Sequence, residues 1–147
     1  MPDLVLTRRF AAPRERVFAA WTHPELLRRW WAAVGGWSTS RAEVDLRPEG
    51  RYRLSMRNPD EEAEYTVAGE YVEVIPPERL VYTWTWEGDA AIMAGSGGTV
   101  VEVDFVEAAD GATEVRVIHR GFGAEAVRDL HGEGWTGCLD NLDRALA

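Results

Sequence analysis

The stretch ATEVRVIHRGFGAEAVRDLHGEGWTGCLDNLDRAL, residues 112–146, contains a change of hydrophobic period that decides the fold. Up to Arg120, apolar and polar side chains alternate, as is typical of a half-buried β-strand. After Gly121-Phe122-Gly123, apolar side chains recur at the spacing of one helical face. These side chains are Val127, Leu130, His131, Trp135, Cys138, Leu139, Leu142 and Leu146. The stretch therefore predicts a strand followed by a long amphipathic helix.

The region before this stretch has the period of β-structure over most of its length. Runs rich in β-forming residues are separated by short turns that contain Pro, Gly or Asp. We predict six strands here, at residues 41–46, 50–57, 64–75, 79–86, 98–107 and 112–120. The short connections favour an antiparallel meander.

The N-terminal region adds one strand and two short helices. Residues 4–10 are short and β-rich, and Pro13 stands where a helix can begin. His23-Pro24 ends this helix and starts a second one, which runs towards Gly35-Gly36. The second helix carries Leu26, Leu27, Trp30 and Trp31. The predicted fold class is α+β, with a curved antiparallel sheet, two short helices and a long C-terminal helix across the concave face. We predict that residues 1–147 form one domain.

Strand alternation predicts which side chains face the long helix. The apolar sets are Tyr52, Leu54 and Met56; Leu80, Tyr82, Trp84 and Trp86; Thr99, Val101, Val103 and Phe105; and Thr113, Val115, Val117 and His119. Strand 64–75 stays ambiguous, because either phase turns a carboxylate inward, Glu70 or Glu73.

Antiparallel order also predicts where an opening would lie. The loops at 58–63 and 87–97 and the turn at 121–124 fall at one end of the sheet. Trp37, Met93 and Phe122 are expected to gather there. Loop 88–98 holds two apolar side chains between glycines, which fits either a lid or an ordinary hairpin loop.

Seven tryptophans in 147 residues indicate either an unusually aromatic core or a hollow core lined by indoles. Gly132, Gly134 and Gly137 lie inside the last helix, where each lowers helix stability. They either let the helix approach the sheet closely, which we favour, or clear space for a ligand.

Charge and composition exclude several classes of function. A net charge of −9 argues against nucleic-acid binding. The sequence contains no lysine, which excludes lysine Schiff-base chemistry and a phosphate-loop lysine. Cys138 is the only cysteine, so no internal disulfide forms. We see neither a secretory signal nor a membrane-spanning run, and we therefore expect a cytoplasmic protein.

Four segments together resemble the START-like, helix-grip (SRPBCC) superfamily, and within it the branch named after the activator of heat shock protein 90 ATPase. The segments are residues 10–31, 69–84, 113–122 and 134–142, which include WTHPE, GEYVEVIPPERLVYTW, HRGF and GW. The resemblance implies the helix-grip fold for essentially the whole chain. It also implies an internal pocket, since members of this superfamily bind lipids, hormones and polyketides, and a few act as cyclases or hydrolases.

His119 and His131 are the best candidates for reactive or anchoring groups. One ends a strand and the other lies on the helix, so the two could meet inside. Each could orient a polar ligand, act as a general base, or be a core histidine bonded to a hydroxyl or a carbonyl. The His and Cys residues lack zinc-ligand spacing, and no serine lies in a hydrolase motif. We therefore predict no metal, no cofactor and no catalytic residue.

The resulting hypothesis is a non-catalytic protein that binds a small apolar or aromatic molecule between the sheet and the last helix. The predicted ligand-binding residues are Trp37, Tyr52, Leu54, Tyr82, Trp84, Trp86, Met93, Val101, Val103, Val117, His119, Phe122, His131 and Trp135. Two alternatives stay open: a polyketide cyclase or aromatase with a histidine base, and a chaperone-associated interaction module. The sequence leaves a homodimer open as well.

Overall fold

The computed structural model describes residues 3–31, 36–60, 63–87 and 98–146, with Ala63 described by its backbone alone. One antiparallel sheet contains seven strands in the order β1-β7-β6-β5-β4-β3-β2. The strands are β1 Leu4–Phe10, β2 Ser38–Val44, β3 Arg51–Asn58, β4 Ala63–Ile75, β5 Arg79–Trp86, β6 Thr99–Glu107 and β7 Thr113–Arg120. The helices are α1 Arg14–Thr22, α2 Pro24–Leu27 and α3 Glu125–Leu146. The predicted α+β class is confirmed. No helix in the described ranges is long and apolar enough to cross a membrane.

The sheet curls around α3, and the predicted inward sets face that helix. Every member of the four sets on β3, β5, β6 and β7 is buried. Strand β1 pairs with β7, from Leu4 opposite His119 to Phe10 opposite Thr113, and so extends the meander beyond its last strand. An ion pair of 2.8 Å between Arg8 and Asp140 links β1 to α3 on the outside.

Two predicted boundaries were wrong at the N-terminal side of the sheet. Strand β2 begins at Ser38 rather than at residue 41. Its first residues were missed because a bulge between Thr39 and Arg41 interrupts the alternation of apolar and polar side chains. Helix α2 ends at Leu27, much earlier than the predicted end near Gly35-Gly36. Trp30 is nevertheless buried, and its indole N–H donates to the Ala20 carbonyl at 2.9 Å.

A second bulge removes the ambiguity of strand 64–75. The register of β4 shifts between Tyr71 and Glu73, so the face that points inward changes there. Tyr71 is buried before the shift, and Val74 packs against the core after it. Glu70 therefore stays exposed, and Glu73 lies 3.4 Å from Arg79. The expectation that one carboxylate must turn inward was wrong, because the extra residue keeps both of them out of the core.

Two hydrogen bonds between indole and imidazole rings join α3 to the sheet, and we call this pair the clasp. Trp135 on α3 donates its Nε1–H to Nδ1 of His119 on β7 at 3.1 Å. Trp86 on β5 donates its Nε1–H to Nε2 of His131 on α3 at 2.9 Å. The helix and the sheet thus each supply one donor and one acceptor. Since an indole N–H can only donate, both histidines accept with an unprotonated nitrogen and are neutral.

The second ring nitrogen of each histidine is engaged as well, which fixes the two tautomers. Nε2 of His119 lies 2.6 Å from the Thr99 hydroxyl, which donates onward to the Trp84 carbonyl. Nδ1 of His131 lies 2.8 Å from the Val127 carbonyl and donates to it. His119 therefore carries its proton on Nε2, and His131 carries its proton on Nδ1.

Burial stabilises the neutral forms that the clasp requires. Desolvation, with a smaller contribution from neighbouring His131, lowers the pKa of His119 to about 2. Desolvation also lowers the pKa of His131, against an opposing effect of the hydrogen bond to Val127. The imidazoles of the folded protein thus resist protonation where an ordinary histidine, with a pKa of 6.5, would become charged.

The lowered pKa of His119 predicts acid lability. The unfolded chain takes up this proton near pH 6.5 and the folded chain only near pH 2, so the stabilisation is complete above pH 6.5 and is lost as the pH falls through this window. The contribution of His119 to the free energy of unfolding should be about 2 kcal/mol smaller at pH 5 than at pH 7. Urea unfolding at the two pH values measures the change.

Two variants isolate the contribution of His119. His119→Asn keeps an acceptor for Trp135 but cannot titrate, so its unfolding free energy should lose about 2 kcal/mol less between pH 7 and pH 5 than that of the wild type. Thr136→Asn, which changes an exposed side chain of α3 and removes no titratable group, is the control and should keep the wild-type dependence. Equal pH dependence of the wild type and His119→Asn would contradict the neutral clasp.

Candidate ligand-binding site

A cavity of about 350 Å³ lies between α3 and the sheet, and we call it the main cavity. Its walls come from the segment after α2, the start of β2, strands β3 to β5, and one face of α3. The lining residues are Trp31, Trp37, Met56, Tyr65, Trp84, Trp86, Leu130, His131, Glu133, Gly134, Trp135 and Cys138. The volume is at the lower end of the range of small-molecule sites.

Trp84 is at the centre of the aromatic wall. Its ring centroid lies 5.7 Å from those of Trp86 and Trp135, and 6.4 Å from that of Trp31. Trp84 and Trp86 share one face of β5 because side chains two apart on a strand point the same way. The clasp holds the rings of Trp86 and Trp135 in place through their indole nitrogens.

The rim of the main cavity lies between α3 and the N-terminal ends of β2 and β4. Trp37 stacks on Tyr65 with a centroid distance of 5.6 Å and an interplanar angle of 17°. Across from them, Leu130 and Glu133 on α3 are exposed. Glu133 is the only charged side chain among the described lining residues, so the one charge on this lining is negative.

Gly132 and Gly134 of α3 have different surroundings. A Cβ on Gly132 would lie 3.2 Å from a methyl group of Leu4, so Gly132 allows α3 to approach β1 closely. A Cβ on Gly134 would meet nothing within 4 Å, and Gly134 lines the main cavity. The preference for close packing therefore fits Gly132, while Gly134 leaves open space in the main cavity.

A second cavity of about 20 Å³ lies behind Trp31 and Trp135, which line both spaces. Its walls include three tyrosines, Tyr52, Tyr71 and Tyr82. Burial raises the pKa of all three, so their hydroxyls stay protonated. This space is large enough for about one water molecule. Trp31 and Trp135 thus separate the main cavity from the small one.

The structure distributes the predicted ligand-binding residues over several environments. The main cavity is lined by Trp37, Trp84, Trp86, His131 and Trp135, and the small cavity by Tyr52, Leu54, Tyr82 and again Trp135. Val101, Val103, Val117 and His119 are fully buried and line neither cavity. Phe122 is also buried, with its ring 4.5 Å from that of His119. Met93 lies outside the described residues, as does most of loop 88–98.

The sequence-based set did not include Trp31, Met56, Tyr65, Leu130, Glu133, Gly134 and Cys138. The hydrophobic pattern could have identified some of these residues as facing the interior. Met56 belongs to an inward set, and Leu130 and Cys138 belong to the helical stripe. Tyr65 was hidden by the uncertain phase of β4. Trp31 was assigned to the second helix, but α2 ends at Leu27 and Trp31 lies beyond it.

The histidines do not have the geometry of reactive groups. All four ring nitrogens of His119 and His131 already have hydrogen-bond partners within the protein. The nitrogen that would take up a proton accepts an indole N–H in each case. His131 therefore contributes a ring surface to the cavity and no vacant polar atom. Within the described ranges, no cluster of three His, Cys, Asp or Glu residues could hold a metal ion.

Solved structures of other proteins share this architecture. A protein from Chromobacterium violaceum superimposes with a TM-score of 0.86 at 23% identity, over 98% of this chain and 96% of the other. An AHSA1 protein from Silicibacter pomeroyi gives 0.83 at 28% identity, over 99% and 97%. An AHSA1-like protein from Aeromonas hydrophila gives 0.73 at 26% identity, over 96% and 90%.

Sequence comparison with families agrees with the structural likeness. No curated protein matches the chain. The model of the family described as activator of Hsp90 ATPase homolog 1-like protein matches residues 11–147, which is nearly the whole chain. The resemblance inferred from the four segments is thereby confirmed. The chain belongs to the activator of Hsp90 ATPase homolog 1-like family of the START-like, helix-grip superfamily.

Proposed function

We propose that this protein binds a small, neutral, mainly apolar molecule in the main cavity without transforming it. The observation that carries the proposal is a space of about 350 Å³ whose walls are mostly indole rings and aliphatic side chains. Transfer of apolar surface from water to such walls contributes about 25 cal/mol per Å² before the costs of association. The main source of affinity would therefore be hydrophobic.

The walls of the cavity are fixed before a ligand enters. Trp86 and Trp135 are hydrogen-bonded to histidines behind them, and the Trp37 ring stacks on Tyr65 at the rim. A site that is already ordered loses little conformational entropy on binding. Gly134 also keeps part of the cavity open, because it has no side chain. These features favour a binding site over a core that simply packs poorly.

The contacts of the histidines favour binding over catalysis. A general base needs a vacant lone pair within reach of the substrate proton. The acceptor nitrogens of His119 and His131 are occupied by Trp135 and Trp86, and His119 is fully buried outside the cavity lining. The cyclase alternative therefore has no candidate base among the two histidines on which it depended.

Blocking the cavity should abolish binding without weakening the fold. In Gly134→Leu a side chain enters the open space beside Gly134, and the affinity for the neutral fluorescent probe N-phenyl-1-naphthylamine should fall at least roughly tenfold. Stability should not fall, because leucine is a better helix former than glycine by about 0.8–1 kcal/mol. Fluorescence titration and urea unfolding give the two readouts.

The matched control places leucine on the exposed face of the same helix. Thr136→Leu lies two residues away and does not line the cavity, so its affinity for the probe should equal that of the wild type. Wild-type protein that shows no saturable binding, or Gly134→Leu that binds as the wild type does, would contradict the proposal.

The negative rim should discriminate against anions. Decanol should displace the probe at a concentration at least roughly tenfold lower than decanoate at pH 8, because a carboxylate must be desolvated beside Glu133 without a cationic partner. Glu133→Gln should strengthen decanoate binding and leave decanol binding unchanged. Decanoate that binds as tightly as decanol would show that the site does not exclude anions and would contradict the proposed neutral class.

A further inference from the structure

Five of the buried tryptophans differ in whether the indole N–H has a hydrogen-bond partner. Trp21 donates to the Tyr82 hydroxyl at 3.2 Å and Trp30 to the Ala20 carbonyl at 2.9 Å. Trp86 and Trp135 donate to the two histidines of the clasp. The Nε1–H of Trp84 is also buried, yet it has no hydrogen-bond partner in the described structure. Trp84 is the exception among these five tryptophans.

An unpartnered buried N–H destabilises the folded state, so its presence needs a reason. Phenylalanine would supply an aromatic wall at the same position of β5 without a polar atom. Trp84 is 5% exposed, which means that water does not readily solvate its ring. Natural proteins retain such local disadvantages mainly at functional sites.

The acceptor nitrogens of the two histidines beside Trp84 are already used. The rings of His119 and His131 lie 5.4 and 6.3 Å from that of Trp84 between centroids, but their acceptor nitrogens take the N–H groups of Trp135 and Trp86. The carboxylate of Glu133 belongs to an exposed residue at the rim. Trp84 itself lines the main cavity. An acceptor for this N–H can therefore come from a molecule bound in the cavity.

We infer that the ligand carries a carbonyl-type oxygen that accepts a hydrogen bond from Nε1 of Trp84. This inference rests on the proposed function and narrows it to neutral, mainly apolar ketones, esters, lactones or quinones. Pure hydrocarbons lack the acceptor, and carboxylates bring a charge that the lining does not balance. Trp84 would determine specificity, while the remaining rings provide surface for apolar contact.

A pair of ligands with the same shape tests the inference. 2-Acetylnaphthalene and 2-isopropenylnaphthalene differ only in that C=O is replaced by C=CH₂. Their affinities are measured by displacement of N-phenyl-1-naphthylamine from wild-type protein and from Trp84→Phe. The preference for the ketone should fall about three- to tenfold in the variant, since one hydrogen bond is lost. The hydration free energy of each ligand is the same whether wild-type protein or Trp84→Phe is titrated. It therefore cancels when the ketone preferences of the two proteins are compared.

Trp30→Phe is the matched control, because it removes an indole that does not line the main cavity and should leave the preference for the ketone unchanged. If Trp84→Phe binds both ligands with the wild-type preference, the inference is wrong and the proposed function stands. If wild-type protein binds neither ligand nor the probe, the proposed function itself fails.

A measurement on the wild type keeps the test valid if Trp84→Phe does not fold. The infrared carbonyl band of bound 2-acetylnaphthalene should lie at lower wavenumber than the band of the same ketone in hexane, as hydrogen bonding weakens the C=O bond. A band at the hexane position would mean that the carbonyl has no donor, and would overturn the inference.

Discussion

The reciprocal pair of indole–imidazole hydrogen bonds is the interaction on which the rest of the structure depends. Trp135 of α3 reaches His119 of β7, and Trp86 of β5 reaches His131 of α3, so the helix and the sheet hold each other at two points. Each bond requires a neutral histidine, and burial supplies that condition by lowering the pKa of both. Fold, electrostatics and the shape of the cavity are therefore parts of one arrangement.

The same arrangement explains how a space can persist inside a core so rich in tryptophan. The rings of Trp86 and Trp135 cannot turn into the cavity without breaking their hydrogen bonds to His131 and His119. Gly134 leaves its part of α3 without a side chain, and Trp31 and Trp135 close the main cavity against the small one. The histidines thus fix two of the rings in the cavity wall, while the N–H of Trp84 has no hydrogen-bond partner in the described structure.

Hydrophobic period predicted much of this fold, because alternation and helical spacing are local properties of the chain. It located all seven strands, α3 and the inward sets, including Trp84 and Trp86 on one face of β5. It could not locate the bulges in β2 and β4, since a break in the alternation does not show whether a strand ends or continues with one extra residue. For that reason the phase of Tyr65 was not predicted. Of the roles left open for His119 and His131, that of a core histidine bonded to a hydroxyl or a carbonyl is the one the structure shows. The indole donors were not predicted, because a hydrogen-bond partner is set by three-dimensional proximity and not by spacing in the sequence.

The tautomers of the two histidines give the most direct test of this account. Long-range ¹H–¹⁵N correlation spectra of ¹⁵N-labelled protein at pH 5.5 report which ring nitrogens carry protons, at a pH where an ordinary histidine with a pKa of 6.5 is charged. The account predicts two neutral imidazoles of opposite type, with the proton on Nε2 of His119 and on Nδ1 of His131. An imidazolium pattern for either residue, or the same tautomer for both, would contradict it.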